Sequence, residues 1–270
     1  MIKKRISMIV EYFVLILSSA IALFPIFWTF TSATNKSIDV LAGRVLPGAK
    51  LFENLHNLLK AANVGQAMLN SSKYSILTTL GSVLICSIAG YAFEVYYTRA
   101  KNMLFNVLLL SMMIPFAATM IPLYTLFGKL DLLNTTLGFA LPSLSTALLI
   151  FLFRQCAQSF PKSIIESARI DGASEIRIFF EFFMPINRHT FAAGITVAFM
   201  NNWNNYLWPL IIMQTPTSRT MPQLIANLTS GYVTDYGMLM LAVSISILPT
   251  LVVFLILQKN FIEGITGAVR

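Results

Sequence analysis

Six long apolar runs constrain what this sequence can fold into more than any other feature. A helix needs about 20 consecutive apolar residues to cross the hydrocarbon core of a bilayer, and each run is close to that length. The runs cover residues 7–30, 74–97, 103–127, 136–153, 191–212 and 238–257. With 56% hydrophobic and only 11% charged residues, the composition is typical of integral membrane proteins. We therefore expect an all-α membrane protein with six transmembrane helices that form one domain over residues 1–270.

The first run has a second interpretation, because Ala20-Ile21-Ala22 has the small-residue pattern of a signal-peptide cleavage site. The apolar run continues well beyond that tripeptide. We therefore expect an uncut first transmembrane helix.

A polar segment at residues 161–185, PKSIIESARIDGASEIRIFFEFFMP, separates the fourth and fifth runs. We call it the polar island. Its charged side chains are Glu166, Arg169, Asp171, Glu175, Arg177 and Glu181. Ser159 can cap a first short helix, Gly172 can adopt the left-handed conformation that ends it, and Ser174 can cap a second helix. A helix-Gly-helix element between two membrane spans predicts a docking surface for a partner protein.

The polar island also carries a spaced motif. It consists of Glu166-Ser167-Ala168, a glycine four residues after Ala168, and Phe182-x-Met184-Pro185. This pattern resembles the EAA loop of permease subunits of ATP-binding-cassette importers, in which Glu-Ala-Ala, three residues, Gly and nine residues precede Ile-x-Leu-Pro. The chain departs from that pattern at Ser167, Phe182 and Met184. The resemblance implies a coupling loop over about 154–188 that contacts an ATPase subunit through Glu166, Ser167, Ala168, Asp171, Gly172 and Pro185.

Amide side chains crowd the centre of the fifth run, in Asn201-Asn202-Trp203-Asn204-Asn205-Tyr206-x-Trp208-Pro209. On a continuous helix Asn201, Asn205 and Trp208 share one face, and Asn202 and Tyr206 lie on the adjacent one. Amides inside a bilayer need hydrogen-bond partners, and amides combined with aromatic rings suit a neutral sugar. The segment also resembles a motif common in carbohydrate permeases. Two roles stay open for these residues: contact with a sugar on the translocation path, and structural packing or gating between helices.

Two polar segments after the fifth run carry further expectations. By resemblance to the maltose importer, the loop at 214–222 contacts the solute-binding protein, with Thr215, Thr217, Ser218 and Arg219 as the candidate residues. The tail at 258–270 is similar to the C-terminus of maltose-type permeases, which implies that it reaches between the ATPase subunits. For each segment, an ordinary solvated loop or tail is the alternative.

Several kinds of chemistry are excluded by what the sequence lacks. It has no Gly-x-x-x-x-Gly-Lys-Ser/Thr loop to hold the phosphates of ATP. His56 and His189 lie in different predicted compartments, and no acid–base constellation is evident. We therefore expect no catalytic residue, metal site, cofactor or disulfide in this chain. Its net charge of +8 is explained by the positive-inside rule, and no basic cluster with interleaved aromatic residues predicts nucleic-acid binding.

The resemblance extends from the first run to the tail and implies a multisubunit importer. Such an importer has a solute-binding protein, two homologous permeases with the type I fold, and two ATPase subunits that use ATP and Mg²⁺. This chain is similar to the G subunit of the maltose transporter and to raffinose and multiple-sugar permeases, so we expect an oligosaccharide as cargo. Glycerol-3-phosphate permeases share Phe153-Arg154-Gln155 and provide the alternative cargo. A stand-alone secondary sugar carrier is a third possibility, although carriers of that kind usually place charged residues near mid-membrane.

The distribution of basic residues predicts the orientation. About twelve of the 19 Lys and Arg residues fall on the side of the membrane that would hold both termini, and basic residues favour the cytoplasmic side. We therefore expect a multi-pass protein of the bacterial cytoplasmic membrane, with both termini and the polar island in the cytoplasm.

Overall fold

The computed structural model describes residues 2–231 and 233–267, with side chains for 8–231 and 233–259. Within these residues the chain is helical and contains no strand, which confirms the predicted all-α class. The first eight helices are α1 (Ile2–Ser32), α2 (Ser37–Leu41), α3 (Leu51–Ala61), α4 (Val64–Val95), α5 (Arg99–Ser111), α6 (Phe116–Lys129), α7 (Thr136–Ala140) and α8 (Ala147–Gln158). The remaining helices are α9 (Lys162–Ile170), α10 (Glu175–Ile178), α11 (Met184–Ile186), α12 (Arg188–Trp203), α13 (Leu207–Ile212), α14 (Met221–Leu228) and α15 (Tyr236–Gly267). A 3₁₀ turn (Leu141–Ser143) follows α7, and a π turn (Phe179–Phe183) joins α10 to α11.

Membrane-spanning helices are present, and three to five of the six that we predicted are supported by helix length and composition in the described part of the chain. In the described part of the chain, Met8–Ser32, Val64–Val95 and Tyr236–Lys259 are long and apolar enough to cross a bilayer. Two bent pairs could each count as one more span. One is α5 with α6, bent by 99°, and the other is Thr136–Ser143 with α8, bent by 52°. The predicted fifth helix at 191–212 is interrupted between Trp203 and Leu207.

The bend between α5 and α6 lies in the short segment that ends at Pro115. Pro115 adopts an extended conformation immediately before α6, because its ring fixes φ and it has no N–H to continue the preceding helix. A second proline, Pro122, lies inside α6.

The described chain forms two compact units. The first unit comprises Met1–Val64 and Leu224–Leu248. In it, the buried Asn54 amide donates to the carbonyls of Ala33 at 2.8 Å and Asn35 at 3.0 Å, which fixes α3 against the end of α1. Ser37 donates to the Asp235 carboxylate at 2.8 Å, and Asp235 in turn accepts from the Met238 N–H at the start of α15.

The second unit comprises Gly65–Gln223 and Pro249–Arg270. Its core contains a cluster of aromatic rings in which Phe153 and Phe183 are completely buried. Phe153 packs against Phe191 with a centroid distance of 4.8 Å, and Phe183 packs against Tyr91 at the same distance. Helices α4 and α8 approach closely at Gly90, where a Cβ would lie 2.7 Å from the Arg154 backbone nitrogen.

Candidate functional site

The polar island folds largely as its sequence predicts. Its helices α9 and α10 are separated by a turn in which Gly172 has a φ of +79°, the left-handed conformation that ends a helix at low cost only for glycine. The Ser174 hydroxyl accepts from the Arg177 N–H at 3.4 Å and caps α10. The predicted Ser159 cap is wrong, because α9 begins only after Pro161 and the Ser159 hydroxyl donates to the Cys156 carbonyl at 2.9 Å.

The candidate coupling residues lie on an exposed surface with one exception. The exposed ones are Glu166, Ser167, Asp171, Gly172 and Pro185. Ala168 is buried and packs into the aromatic core of the second unit, so it supports the surface from below. Two apolar side chains that sequence reasoning missed, Ile170 and Ile176, are 86% and 72% exposed beside them. In the sequence, these two residues could have been recognised as apolar residues on either side of the Gly172 turn. Exposed apolar side chains within a polar surface are typical of docking surfaces.

An ion pair connects the two helices of the polar island. Arg169 donates its Nε to Glu175 Oε1 at 2.7 Å across the Gly172 turn. This hydrogen bond holds the pKa of the Glu175 carboxyl below its usual range and raises the pKa of Arg169. The pair fixes the angle between α9 and α10 in addition to the backbone turn.

The amide-rich segment does not form the continuous helix that we predicted. Helix α12 ends at Trp203, and Asn204, Asn205 and Tyr206 lie before α13 begins at Leu207. The Asn205 side-chain oxygen accepts from the Trp208 N–H at 3.3 Å and caps α13. Asparagine side chains compete with the helix for backbone hydrogen bonds, which explains the interruption. The predicted helical face shared by Asn201, Asn205 and Trp208 is therefore absent.

The break sends these side chains into different surroundings. Trp208 is completely buried against Phe127 and donates its Nε1–H to the Gly138 carbonyl at 3.0 Å. It therefore contributes to packing and not to a polar surface. Asn202 is buried as well and donates to the Thr79 hydroxyl at 3.3 Å, whereas Tyr206 is partly exposed.

Asn201, Asn202 and Asn205 nevertheless border one cavity of about 270 Å³. We call it the amide cavity. Its other lining residues are Ser82, Ser143, Thr146, Leu148, Leu149, Val197 and Ala198. The break thus places three amides from the fifth apolar run beside three hydroxyl groups from earlier helices and turns.

The 214–222 loop is held in place by two asparagine side chains. Asn134 Oδ1 accepts from the Gln214 N–H at 2.7 Å, the Thr215 N–H at 3.0 Å and the Ser218 hydroxyl at 2.9 Å. Asn70 Nδ2 donates to the Thr217 and Arg219 carbonyls at 2.8 and 2.9 Å. The loop is therefore a pinned turn, although its sequence suggested an ordinary solvated loop as one alternative.

Among the candidate contact residues of this loop, Ser218 requires correction. Its side chain is 5% exposed, and its hydroxyl is already bonded to Asn134 and accepts from Thr215 Oγ1 at 2.8 Å. It cannot offer that hydroxyl to a partner. Thr215 and Thr217 are exposed and Arg219 is half-buried, so these three stay candidates.

Similarity to known proteins identifies the family of the chain. Residues 82–267 match the family described as binding-protein-dependent transport system inner membrane component. The chain belongs to this family. It is 38% identical to the lactose transport system permease protein LacG of Rhizobium radiobacter, over 100% of this chain and 98% of LacG. It is 34% identical to the arabinooligosaccharides transport system permease protein AraQ of Bacillus subtilis (strain 168), over 93% and 92% of the two chains.

Two further similarities bear on cargo and fold. The sn-glycerol-3-phosphate transport system permease protein UgpE of Escherichia coli (strain K12) is 29% identical, with 96% of both chains covered. A solved chain of a bacterial ABC transporter involved in the import of the acidic polysaccharide alginate matches with a TM-score of 0.81 and 22% identity, covering 96% of this chain and 98% of that one. The predicted importer-permease fold is confirmed by this match together with the family membership.

Family membership also makes this chain a multi-pass inner membrane component, as the apolar runs predicted. The suggested role of the tail falls mostly outside the described side chains, which end at Lys259, and residues 268–270 lie outside the described residues. Within 2–231 and 233–267, no group of three His, Cys, Asp or Glu residues is placed to hold a metal ion.

Proposed function

We propose that this chain is a permease subunit of an ATP-driven importer for oligosaccharides. The observation that carries the proposal is its similarity, over the whole length, to a permease named for lactose transport. The similarity to a permease named for arabino-oligosaccharides supports the same class of cargo. In this proposal the subunit lies in a bacterial cytoplasmic membrane, with both termini in the cytoplasm. A second permease, two ATPase subunits and a solute-binding protein complete the importer.

The polar island is the part of the chain suited to receive the ATPase. It exposes Ile170 and Ile176 together with the carboxylates of Glu166 and Asp171. Exposed apolar side chains within a charged surface are typical of protein-binding sites. Because the polar island packs on the aromatic core through Ala168 and Phe183, a displacement of this surface by a bound partner would also displace the membrane helices. The ATPase subunits would bind ATP and Mg²⁺, and this chain would supply no catalytic residue.

The 214–222 loop is suited to contact the solute-binding protein. Asn134 and Asn70 pin its backbone, so the loop loses little conformational entropy when a partner binds. Thr217 and Arg219 remain available for polar contacts at its tip.

A glycerol-3-phosphate importer is the alternative function, since UgpE is similar over nearly its whole length. A phosphate ester would be expected to meet an Arg or Lys side chain on its path, because such groups pair with phosphate oxygens. The amide cavity has no such residue in its lining. This observation favours a neutral cargo.

Uptake by the reconstituted complex tests the proposal. The chain is co-expressed with its second permease and ATPase subunits, and the purified complex is placed in proteoliposomes with the binding protein. We expect uptake of labelled lactose or arabinotriose that requires ATP and the binding protein and that an ionophore does not abolish. Uptake that persists without the ATPase and collapses with the ion gradient would identify a secondary carrier instead. Uptake of sn-glycerol-3-phosphate alone would establish the alternative cargo.

A further inference from the structure

We propose that the amide cavity is a hydroxyl-binding subsite that holds one ring of a neutral sugar during its passage. The inference rests on the proposed function and adds the place and the chemistry of contact. It assigns to Ser82, Ser143 and Thr146 a role that their sequence context did not suggest.

Several hydrogen-bonding groups at the amide cavity lack a partner within the described chain. Within the described residues, the Asn201 amide and the hydroxyls of Ser143 and Thr146 form no hydrogen bond with other groups. Asn205 uses its side-chain oxygen to cap α13, which leaves its amide nitrogen as a donor. Polar groups in an apolar membrane segment are costly unless they are paired or face a wet cavity. These groups therefore require water, a polar ligand or a polar group of a partner subunit.

The amide cavity lies between two helix breaks. The break between α12 and α13 contributes Asn205, and α12 contributes Asn201 just before it. The turn before α8 contributes Ser143 and Thr146. Thr146 is the N-cap residue of α8, yet its side chain makes no capping bond, so its hydroxyl remains available to a ligand. Interrupted membrane helices commonly frame the substrate sites of transporters, since only there can backbone polar groups serve a ligand.

The lining of the amide cavity matches the chemistry of a sugar ring. A ring has hydroxyl groups at its rim and C–H groups on its faces. The cavity offers three amides and three hydroxyls, with Leu148, Leu149, Val197 and Ala198 as an apolar wall. A volume of about 270 Å³ has room for about nine water molecules at roughly 30 Å³ each, so the cavity suits a small polar ligand or one ring of a larger one.

The lining also discriminates against charge. None of its residues is Lys, Arg, Asp or Glu. The N-terminus of α8 carries a partial positive charge of about half an elementary charge, which favours an anion. That charge alone does not offset the free-energy cost of removing a phosphate ester from water into a membrane. The aromatic stacking that we expected from Trp208 is absent, because this ring is buried elsewhere. Contact through amides and hydroxyls without aromatic stacking gives weak binding, which suits a transported ligand that must leave the cavity again.

The test combines transport and labelling in the complete importer. Asn201→Leu and Thr146→Val remove a hydrogen-bonding group while keeping side-chain size, and Asn201→Ser is a milder variant that puts a hydroxyl in place of the amide. Asn204→Leu is the matched control, because Asn204 is exposed three residues away and does not line the cavity. We expect the first two variants to lower lactose transported per ATP about fivefold to tenfold, with stimulated ATP hydrolysis within twofold of the unaltered importer. Asn201→Ser should lose less, and Asn204→Leu should transport normally.

Labelling shows whether sugar occupies the cavity. Cys86 and Cys156 are first replaced by alanine, and a cysteine is placed at position 201 or, as a control, at position 204. With ATP hydrolysis trapped by vanadate, excess lactose should slow the reaction of position 201 with a hydrophilic methanethiosulfonate at least fivefold. Excess sn-glycerol-3-phosphate should not slow the labelling of position 201. Excess lactose should not slow the labelling of position 204.

The outcomes separate this inference from the proposed function. One outcome is that the unaltered importer takes up lactose while the cavity variants transport as much lactose per ATP as Asn204→Leu and lactose does not protect position 201. That result would overturn the subsite and leave the proposed function standing. Protection by sn-glycerol-3-phosphate and not by lactose also overturns it. Failure of the unaltered importer to transport any neutral sugar overturns the proposed function itself.

Discussion

Arg154 donates its Nε to the Glu94 carboxylate at 3.3 Å, which joins α8 to the end of α4. The same guanidinium donates to Asn102 Oδ1 at 2.9 Å and lies 4.1 Å from the centre of the Phe105 ring. Arg154 and Glu94 are only 13% and 17% exposed. Because α8 leads directly into the polar island, this pair holds the start of the polar island against α4 and α5.

Breaking this pair should destabilise the protein. Arg154→Met keeps the aliphatic bulk but leaves the Glu94 carboxylate buried without its cation. Removing one partner of a buried pair usually costs about 3–5 kcal/mol, and we expect about 2–3 kcal/mol because the pair is not fully buried. The measurement is denaturant or thermal unfolding of the detergent-solubilised chain. Arg177→Met is the control, since Arg177 pairs with Glu181 at 62% and 52% exposure and should cost less than about 1 kcal/mol. Equal losses in the two variants would contradict the prediction.

The left-handed turn at Gly172 should be needed for coupling. Gly172→Val forces a β-branched residue to a φ of +79°, at a cost of roughly 1 kcal/mol or more. A Cβ there meets no atom within 4 Å, so the strain is confined to the backbone. Sugar-stimulated ATP hydrolysis should fall several-fold while membrane insertion survives. Gly172→Asn should retain more activity, because Asn tolerates this conformation.

Gly43 provides the matched control for that substitution. Its φ is +72°, and its Cβ position is also open, but it lies outside the polar island. Gly43→Val should introduce similar strain and leave coupling intact. Loss of coupling in both variants would show that general destabilisation is the cause.

The Arg169–Glu175 pair predicts a pH dependence of the polar island. Arg169 lowers the pKa of Glu175 below its ordinary value of 4.5, so the ionised form is favoured in the folded state. The stabilisation is complete above pH 4.5 and is lost as the pH falls through the lowered pKa. A spin label at position 176, in a chain with Cys86 and Cys156 replaced, should therefore become more mobile at acidic pH. Glu175→Gln should be more mobile already at pH 7 and show little further change; an unchanged acid response in this variant would argue against the pair.

The polar island was predictable because its signals are local. Gly172 ends α9 and Ser174 caps α10, and each acts on backbone groups within three residues. The predicted Ser159 cap was wrong because a serine hydroxyl can hydrogen-bond either to the following helix or to the preceding one. It bonds back to the Cys156 carbonyl and ends α8.

The surroundings of the candidate translocation-path residues were only partly predictable, because contacts between residues far apart in sequence help to determine them. Hydropathy favoured one helix over 191–212, but the Asn205 side chain caps a new helix instead. The position of Trp208 depends on the Gly138 carbonyl, 70 residues away in sequence. The hydroxyls of Ser143 and Thr146 reach the amide cavity only because the helix before α8 is bent as well. The Asn205 cap is a local effect, but neither the Gly138 contact nor the bend before α8 has a signal in the sequence near Asn201 or Trp208.

A buried glutamine should hold the second half of the broken helix. Gln223 Nε2 donates to the carbonyls of Pro209 at 2.9 Å and Met213 at 3.0 Å, and its Oε1 accepts from the Thr220 N–H at 2.9 Å. Gln223→Met fills the space but strands the Met213 carbonyl and the Thr220 N–H, each worth roughly 1–3 kcal/mol when buried and unpaired. The Pro209 carbonyl still accepts from the Met213 N–H at 2.8 Å. We expect a loss of about 3 kcal/mol in unfolding experiments. Gln214→Met changes an exposed glutamine of the same region and should cost about 0.5 kcal/mol or less; a similar loss in both would refute the assignment.

The last prediction concerns Asn134, which combines a backbone and a side-chain role in the 214–222 loop. Its φ of +58° is tolerated by Asn, Asp and Gly, and its Oδ1 accepts three hydrogen bonds from the loop. Asn134→Gly keeps the backbone but removes the acceptor, whereas Asn134→Asp keeps both. In hydrogen exchange, the Gln214 and Thr215 amides should exchange at least about tenfold faster in the Gly variant, the effect of losing about 1.4 kcal/mol of protection. They should stay protected in the Asp variant. If the pinned loop contacts the solute-binding protein, the Gly variant should also weaken stimulation of ATP hydrolysis by that protein. Faster exchange with unchanged stimulation would retain the scaffold role of Asn134 and place the binding-protein contact on another surface.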